Sequence, residues 1–348
     1  MTTPGALMRS EILQQPTVLR NLLASARPVL QRLMAQVADR NPAFAMLAAR
    51  GSSDNASTYG KYLFESQLGL PTALAAPSLF TLYHAVPRLA NALVIGVSQS
   101  GGSVDVVQVV RSARAQGALT LGMTNTANSD LHHEAGHTVL LEAGAERALA
   151  ATKTVTAQCL AYAMMALAGD ASGALGAIPA EVERALAHEP AISALVNRWM
   201  NVERCAIVGR GFTYSAAQET ALKLKETCFI SAEPYSGADF MHGPLALVEP
   251  GYLMLVLVNS DATLTTTLAL IDRARERGAV LTVWANGEEA SAALTERGAP
   301  ADVVISASAL TSNISLIVLG QLFALNLSIA RGHNPDVSRG LSKITITR

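Results

Sequence analysis

One pattern occurs twice in the 348 residues, 160 positions apart, and it restricts the fold more than any other feature of the chain. Arg50-Gly51 ends an apolar segment in the first half, as Arg210-Gly211 does in the second. The Ser-rich stretch after Val97 has its counterpart after Val258. In the first half an apolar strand and a small-residue turn are expected over 45–53, and a helix over 55–67. A strand and loop follow over 92–103, then a helix to Gln116 and strands over 118–124 and 138–142. The second half reads strand 204–211, helix 216–227, strand 252–259, helix 264–277, and strands 279–284 and 302–306. Strands that alternate with helices pair in parallel, because each crossover helix returns the chain to the same end of the sheet. The expected class is α/β, with two doubly wound parallel-sheet domains related by internal duplication. Such sheets take ligands at the carboxyl ends of their strands. The expected organisation is a helical segment over 1–35, a first domain over 36–170 and a linker over 171–198 with a helix near 180–200. A second domain over 199–330 and a tail over 331–348 complete it, with the Pro/Ala/Gly stretch 169–179 marking the approach to the join.

Half the residues are hydrophobic and 15% are charged, as buried parallel strands require. A net charge of −1 offers no electrostatic footprint for nucleic acid or an anionic membrane, so neither is expected as a partner. The apolar run 314–330 carries Gln321, Asn326 and Ser328 and is short for a span, which favours a buried helix. Acid and amide groups near the N-terminus occupy the place of a signal peptide's apolar core. Cys159, Cys205 and Cys228 show no metal or redox spacing, which suits a reducing, cytoplasmic location.

Residues 94–103 read Val-Ile-Gly-Val-Ser-Gln-Ser-Gly-Gly-Ser, a buried strand delivering a Ser/Gly loop to a helix N-terminus. Free N–H groups and the positive end of the helix dipole favour an anion there. Ser98, Gln99, Ser100 and Ser103 add side-chain donors, and Gly101 and Gly102 let the backbone come close. With no Lys and no GxxxxGK[ST], the loop is no nucleotide P-loop, and a sugar phosphate held by neutral donors fits better. A polar βα turn with a good N-cap is the plainer alternative. The second copy has Asn259-Ser260-Asp261 instead; its carboxylate and its lack of a glycine pair are expected to repel phosphate.

Three groups could react. Lys223 and Glu226 lie three apart on a helix and share a face, while Lys225 points elsewhere; the plain reading is a solvated ion pair. The stretch 235–244 reads as a loop carrying His242 before Gly-Pro, suited to proton exchange near neutrality. A tail lysine, Lys343, follows Gly340. His133-Glu134-Ala135-Gly136-His137 matches the zincin spacing, but that chemistry needs one continuous helix, and a strand starting at Thr138 with Gly136 before it argues against one. No metal is expected.

Gly51-Ser52-Ser53, Ser98-Gln99-Ser100-Gly101, Ala150-Ala151-Thr152-Lys153, 221–226, 241–245, the tail lysine and Glu11-Ile12-Leu13-Gln14-Gln15-Pro16 together resemble the double sugar-isomerase (SIS) domain. More closely, these residues are similar to the isomerase half of glucosamine-6-phosphate synthase and its stand-alone relatives. The resemblance implies that Gly51, Ser52, Ser53, Ser98, Gln99, Ser100 and Ser103 hold the sugar phosphate, and that Leu149 and Ala151 line the sugar site. It implies Glu226 as the base moving a proton between C1 and C2, with Lys223 beside it. His242 would open the ring and Lys343 would close over the site. It also implies a homodimer, in which the His loop can act in its own subunit or come from the neighbouring one, and no metal or organic cofactor.

Departures from the synthase pattern carry weight. Gly102 stands in place of Glu, Ala151 in place of Ser and Asp239 in place of Glu. The chain starts at the isomerase half with no early Cys, so ammonia release from glutamine is not expected. Gly-Gly-Ser after Ser-Gln-Ser, and Ala-Ala-Thr-Lys, look more like stand-alone amino-sugar-phosphate deaminases. The expected function is an amino-sugar-6-phosphate deaminase/isomerase, converting glucosamine 6-phosphate to fructose 6-phosphate and ammonia. The alternatives are a fructosamine-6-phosphate deglycase, a plain aldose–ketose isomerase and a non-catalytic sugar-phosphate sensor.

Overall fold

The computed structural model describes residues 3–169, 173–337 and 339–340. Two compact units form. One comprises 17–147 with 153–176, and the other the N-terminal residues to Pro16, 148–152 and 177–337. The first unit contains β1 (Phe44–Ala48), β2 (Thr72–Leu74), β3 (Ala92–Val97), β4 (Leu119–Thr124) and β5 (His137–Leu140), in the order β2-β1-β3-β4-β5. The second contains β6 (Arg204–Gly209), β7 (Ser231–Ser236), β8 (Leu253–Asn259), β9 (Val280–Asn286) and β10 (Val303–Ile305), in the order β10-β9-β8-β6-β7. All pairings are parallel. The first strand of each sheet lies between the second and the third, so the two sheets share one topology and the duplication is real. Every residue of β3 and β4 is buried, which is why these strands read as unbroken apolar runs.

Several local expectations change. The edge strands β2 and β7 carry no sequence signal. Thr72–Leu74 is three residues long, and Ser-Ala-Glu-Pro-Tyr-Ser includes a proline that only an edge tolerates. The stretch 235–244 is therefore no simple loop: it ends β7, forms a helical turn Gly237–Met241, and places His242 just after it. The helix expected over 180–200 is two helices, Ala174–Leu186 and Glu189–Trp199. Pro190 lies in the first turn of the second, where its missing N–H costs no helix bond, and Pro179 lies inside the first. The strand expected over 138–142 ends at Leu140, and Glu142 takes a left-handed φ of 49°. The helix expected from Asn55 begins at Ser52, bringing Ser52 and Ser53 into its first turn.

In each unit two helices pack close enough to require a glycine. A Cβ on Gly60, in the helix Ser52–Gln67, would lie 2.5 Å from the Tyr162 ring on the helix Lys153–Ala166. In the second unit the glycine is on the other partner. A Cβ on Gly320, in the helix Ser312–Ala330, would run into the Thr220 side chain on the helix Tyr214–Cys228. Ser312–Ala330 is buried except at Asn326, Ile329 and Ala330. Two of its buried polar side chains bond within the unit: Gln321 Nε2 donates to Thr152 O, and Ser328 Oγ to Thr227 O. The apolar run that could be mistaken for a span is thus a core helix.

Candidate functional site

β1 and β3 are adjacent, and the chain leaves them toward different neighbours, β2 and β4. This is the switch point where doubly wound sheets bind ligands. The loop 98–103 leaves the end of β3 there and is organised by its own hydroxyls. Ser98 Oγ accepts the Gly101 N–H at 3.1 Å and lies 3.0 Å from Ser103 Oγ. Ser100 Oγ accepts the Gly102 N–H. Asn125 N and Thr124 Oγ1 both donate to Gln99 O, fixing the crest of the loop. Gly101 has φ 68°, and a Cβ there would collide with Ser129 and lie 2.7 Å from Thr124 Oγ1. Only glycine fits. Gly102 differs: a Cβ there would find only Ser100 Oγ, at 3.8 Å, so no neighbouring protein atom requires a glycine at this position. The loop feeds the helix Val104–Ala115, with Ser103 as N-cap residue.

From the end of β1 comes the second wall. Gly51 (φ 55°) precedes the helix Ser52–Gln67, and Ser53 is buried in its first turn. Gln158 Nε2 donates to Ser53 Oγ at 3.0 Å, so the serine oxygen is used as acceptor and its own proton remains free to donate. Gln158 is 1% exposed, and its Oε1 has no partner among the described residues. A buried unpaired acceptor costs roughly 1–3 kcal/mol, a sign that the amide is placed for Ser53 rather than for itself. Sequence reading missed Gln158; its position in an apolar helix gives no hint of the contact. Asp54, next along the first turn, has its carboxyl pKa raised by burial, against an opposing pull from Arg50.

The second unit ends β8 in Asn259-Ser260-Asp261, and that loop fills its own donor sites. Asp261 Oδ1 accepts from Thr263 N at 2.8 Å and Thr263 Oγ1 at 2.6 Å, while Asp261 Oδ2 accepts from Asn259 Nδ2 at 2.6 Å. The carboxylate takes the place an external anion would need, more completely than the repulsion expected from sequence.

The second unit's reactive cluster lies on Tyr214–Cys228. Lys223 is fully buried, with Nζ 2.6 Å from Glu226 Oε2 and 3.2 Å from Glu219 Oε1. The solvated ion pair of the plain reading is therefore excluded. Burial alone would lower the lysine pKa; the charges of Glu219 and Glu226 outweigh it and raise the value above the ordinary lysine range. Two carboxylates share one ammonium, Glu219 hidden and Glu226 keeping 23% of its side-chain surface exposed. Glu219 was missed from sequence, although its i−4 spacing to Lys223 was available. Lys225 faces away and pairs with Glu233 at the surface.

His242 is exposed, its N–H bonded to Asp239 O. Leu149 and Ala151 are half-buried in a segment held at both ends: Glu11 accepts the Ala148 N–H, and Gln321 donates to Thr152 O. Lys343 lies outside the described residues. In the zincin-like stretch, the helix Asp130–Glu134 ends before Ala135, and His137 is on β5, so the two histidines share no helical face. A cleft of about 690 Å³ lined by Asn197, Arg204, Ser231 and Leu253 opens at the strands' amino ends, opposite the end that doubly wound sheets use.

Residues 44–168 and 200–323 each match the SIS domain family. Glutamine–fructose-6-phosphate aminotransferases are similar along nearly the whole chain. The protein of Methanothermobacter thermautotrophicus is 33% identical over 97% of this chain and 56% of its own length. That of Gloeobacter violaceus is 34% identical over 97% and 58%. The chain thus spans a little over half the length of these relatives. Among solved structures, a candidate phosphosugar isomerase of Silicibacter pomeroyi DSS-3 superposes with a TM-score of 0.84 at 36% identity, covering 94% of this chain and 99% of that one. The C-terminal domain of glucosamine-fructose-6-phosphate aminotransferase from Francisella tularensis gives 0.83 at 26% identity, with 95% and 98% covered.

Proposed function

The chain belongs to the SIS domain family, and from that premise we propose that it is an enzyme of the phosphosugar-isomerase class. Its reaction is the conversion of glucosamine 6-phosphate to fructose 6-phosphate and ammonia. The observation that carries this reading is the Glu226 carboxylate, open to solvent on one side and fixed by a fully buried lysine on the other. A base that abstracts a proton α to a carbonyl needs this combination of access and fixed position.

In the proposed reaction the 98–103 loop and Ser53 hold the phosphate. His242 takes the proton from the C1 hydroxyl and delivers one to the ring oxygen, opening the sugar to its C1 aldehyde. Glu226 removes the proton from C2, giving an enolamine, and returns it to C1. The product is a C1 alcohol with an imine at C2. Water adds to C2 and ammonia leaves, so the ketone of fructose 6-phosphate forms with no net oxidation. The ammonium of Lys223 stabilises charge that develops near the carboxylate. The reading includes a cytoplasmic homodimer, and Lys343 closing from the tail over 331–348.

The test supplies glucosamine 6-phosphate and follows ammonia and fructose 6-phosphate together. Turnover by the unaltered enzyme should exceed that of Glu226→Gln by about 10²–10⁴-fold. Equal rates would sink the assignment. A fructosamine-6-phosphate deglycase remains the second reading, since Ala151, half-buried and smaller than the Ser of the synthase pattern, leaves more room for a bulkier amine. Glycated amino acid phosphates tested alongside separate the two.

A further inference from the structure

The loop 98–103 contains no cation, yet one stands beside it. Arg50 occupies the position between β1 and Gly51-Ser52-Ser53, and its Nε donates to Asp105 Oδ2 at 2.7 Å. Asp105 is 1% exposed and sits in the first turn of Val104–Ala115, the helix that Ser103 caps. Its other oxygen accepts the Val106 N–H at 2.9 Å, so the carboxylate is held at both atoms. Arg50 is therefore tethered along one edge. Its Nη groups form no further hydrogen bond among the described residues, and its side chain is half exposed.

The tether places the guanidinium where the two walls of the switch point meet. It touches the first turn of one helix through Asp105. Its charge is also felt at Asp54, in the first turn of the other, where it opposes the effect of burial. A lysine would neutralise Asp105 equally well; the planar fork adds a second donor edge that neutralisation does not use.

We propose that Arg50, oriented by Asp105, is a ligand-binding residue whose free Nη edge takes the phosphoryl group of the substrate as its dianion. It contributes the positive charge that the hydroxyl cradle lacks. This rests on the reading of the 98–103 loop as a phosphate site. Arg50 then sets selectivity for charge: a phosphate monoester, doubly charged near pH 8, is preferred over a sulfate monoester, which carries one charge at any such pH.

Binding of glucosamine 6-phosphate, glucosamine 6-sulfate and inorganic phosphate is measured by calorimetry at pH 8 for the unaltered protein, Arg50→Gln and Arg50→Lys, at two salt concentrations. Arg50→Gln should weaken phosphate binding by roughly 10- to 100-fold. It should also narrow the phosphate-to-sulfate ratio and flatten the salt dependence. Arg50→Lys should fall between the two, because it keeps the charge and loses the fork. A variant that melts at lower temperature yet keeps the original affinity, ratio and salt dependence would show Arg50 to be a structural partner of Asp105 only, overturning the proposal. Should Arg50→Gln fail to fold, Arg50→Lys decides, and an unchanged phosphate-to-sulfate ratio overturns the proposal. If the unaltered protein binds none of the three ligands, the phosphate site itself is wrong and Arg50 falls with it.

Discussion

Lys223 Nζ lies 2.6 Å from Glu226 Oε2, and none of the lysine's surface is exposed. The position of the solvent-facing carboxylate is thus set from inside the unit, by a charge that water cannot screen. Glu219, on the far side of the same ammonium, keeps Lys223 paired whatever happens to Glu226.

Replacing Lys223 with Met removes the buried ammonium that Glu219 and Glu226 share and should cost about 3–5 kcal/mol in urea unfolding. The double variant with Glu219→Gln should recover much of the loss. The pH dependence has a definite sign. Because the folded-state pKa of Lys223 is raised, its contribution is complete below the unfolded value of 10.5 and fades as pH climbs through the folded value. The gap between the unaltered protein and Lys223→Met should therefore be constant from pH 7 to 9 and shrink only above about 10.5.

The two loop glycines should behave oppositely. Gly101→Ala forces a side chain into Ser129 at a positive φ and should cost about 2 kcal/mol or more, with loss of phosphate binding. Gly102→Ala meets open space, and its melting temperature should stay within a degree or two of the parent (less than about 0.5 kcal/mol).

Asp54→Asn should raise the melting temperature at pH 7. Burial lifts the carboxyl pKa of Asp54 above its ordinary 3.8, so the folded state prefers the protonated form. The penalty for ionising it is absent below 3.8, grows as pH rises from there toward the folded value and is complete above it. The stabilisation by Asn should accordingly vanish near pH 3, which thermal melts at the two pH values would show.

Gln158→Met removes the donor to Ser53 Oγ together with the unpaired Oε1, so stability should change little. The freed serine can turn its proton away from the ligand, and the Michaelis constant for the sugar phosphate should rise about fivefold at nearly constant kcat, from a loss of about 1 kcal/mol. A matching fall in kcat would instead point to a wider disturbance of the helix.

How much of this was legible in the sequence depended on how local the cause was. The 98–103 loop could be read because β3 is buried on both faces and its apolar run stops at Ser98. The shared sheet order was implicit in the 160-residue repeat, but β2 and β7 were not, since an edge strand bearing Glu233 and Pro234 has no period to detect. Lys223 looked like a surface residue because the helix packed against its own, Ser312–Ala330, lies about 90 positions away in sequence. Glu219 and Gln158 escaped for the same reason: their roles come from tertiary burial, which charge spacing cannot reveal. Asp261 was seen as an unfavourable charge, whereas the structure shows a carboxylate bonded within its own loop.

The glycine that lets two helices touch belongs to the earlier helix in the first unit, opposite Tyr162, and to the later helix in the second, opposite Thr220. The inherited copies have therefore diverged in complementary pairs. A single helix transplanted between halves would bring bulk against bulk at one junction and leave a void at the other. Since the ancestral doubling, the interchangeable part has become the matched helix pair, and recombination that cuts inside such a pair should yield chains that do not fold.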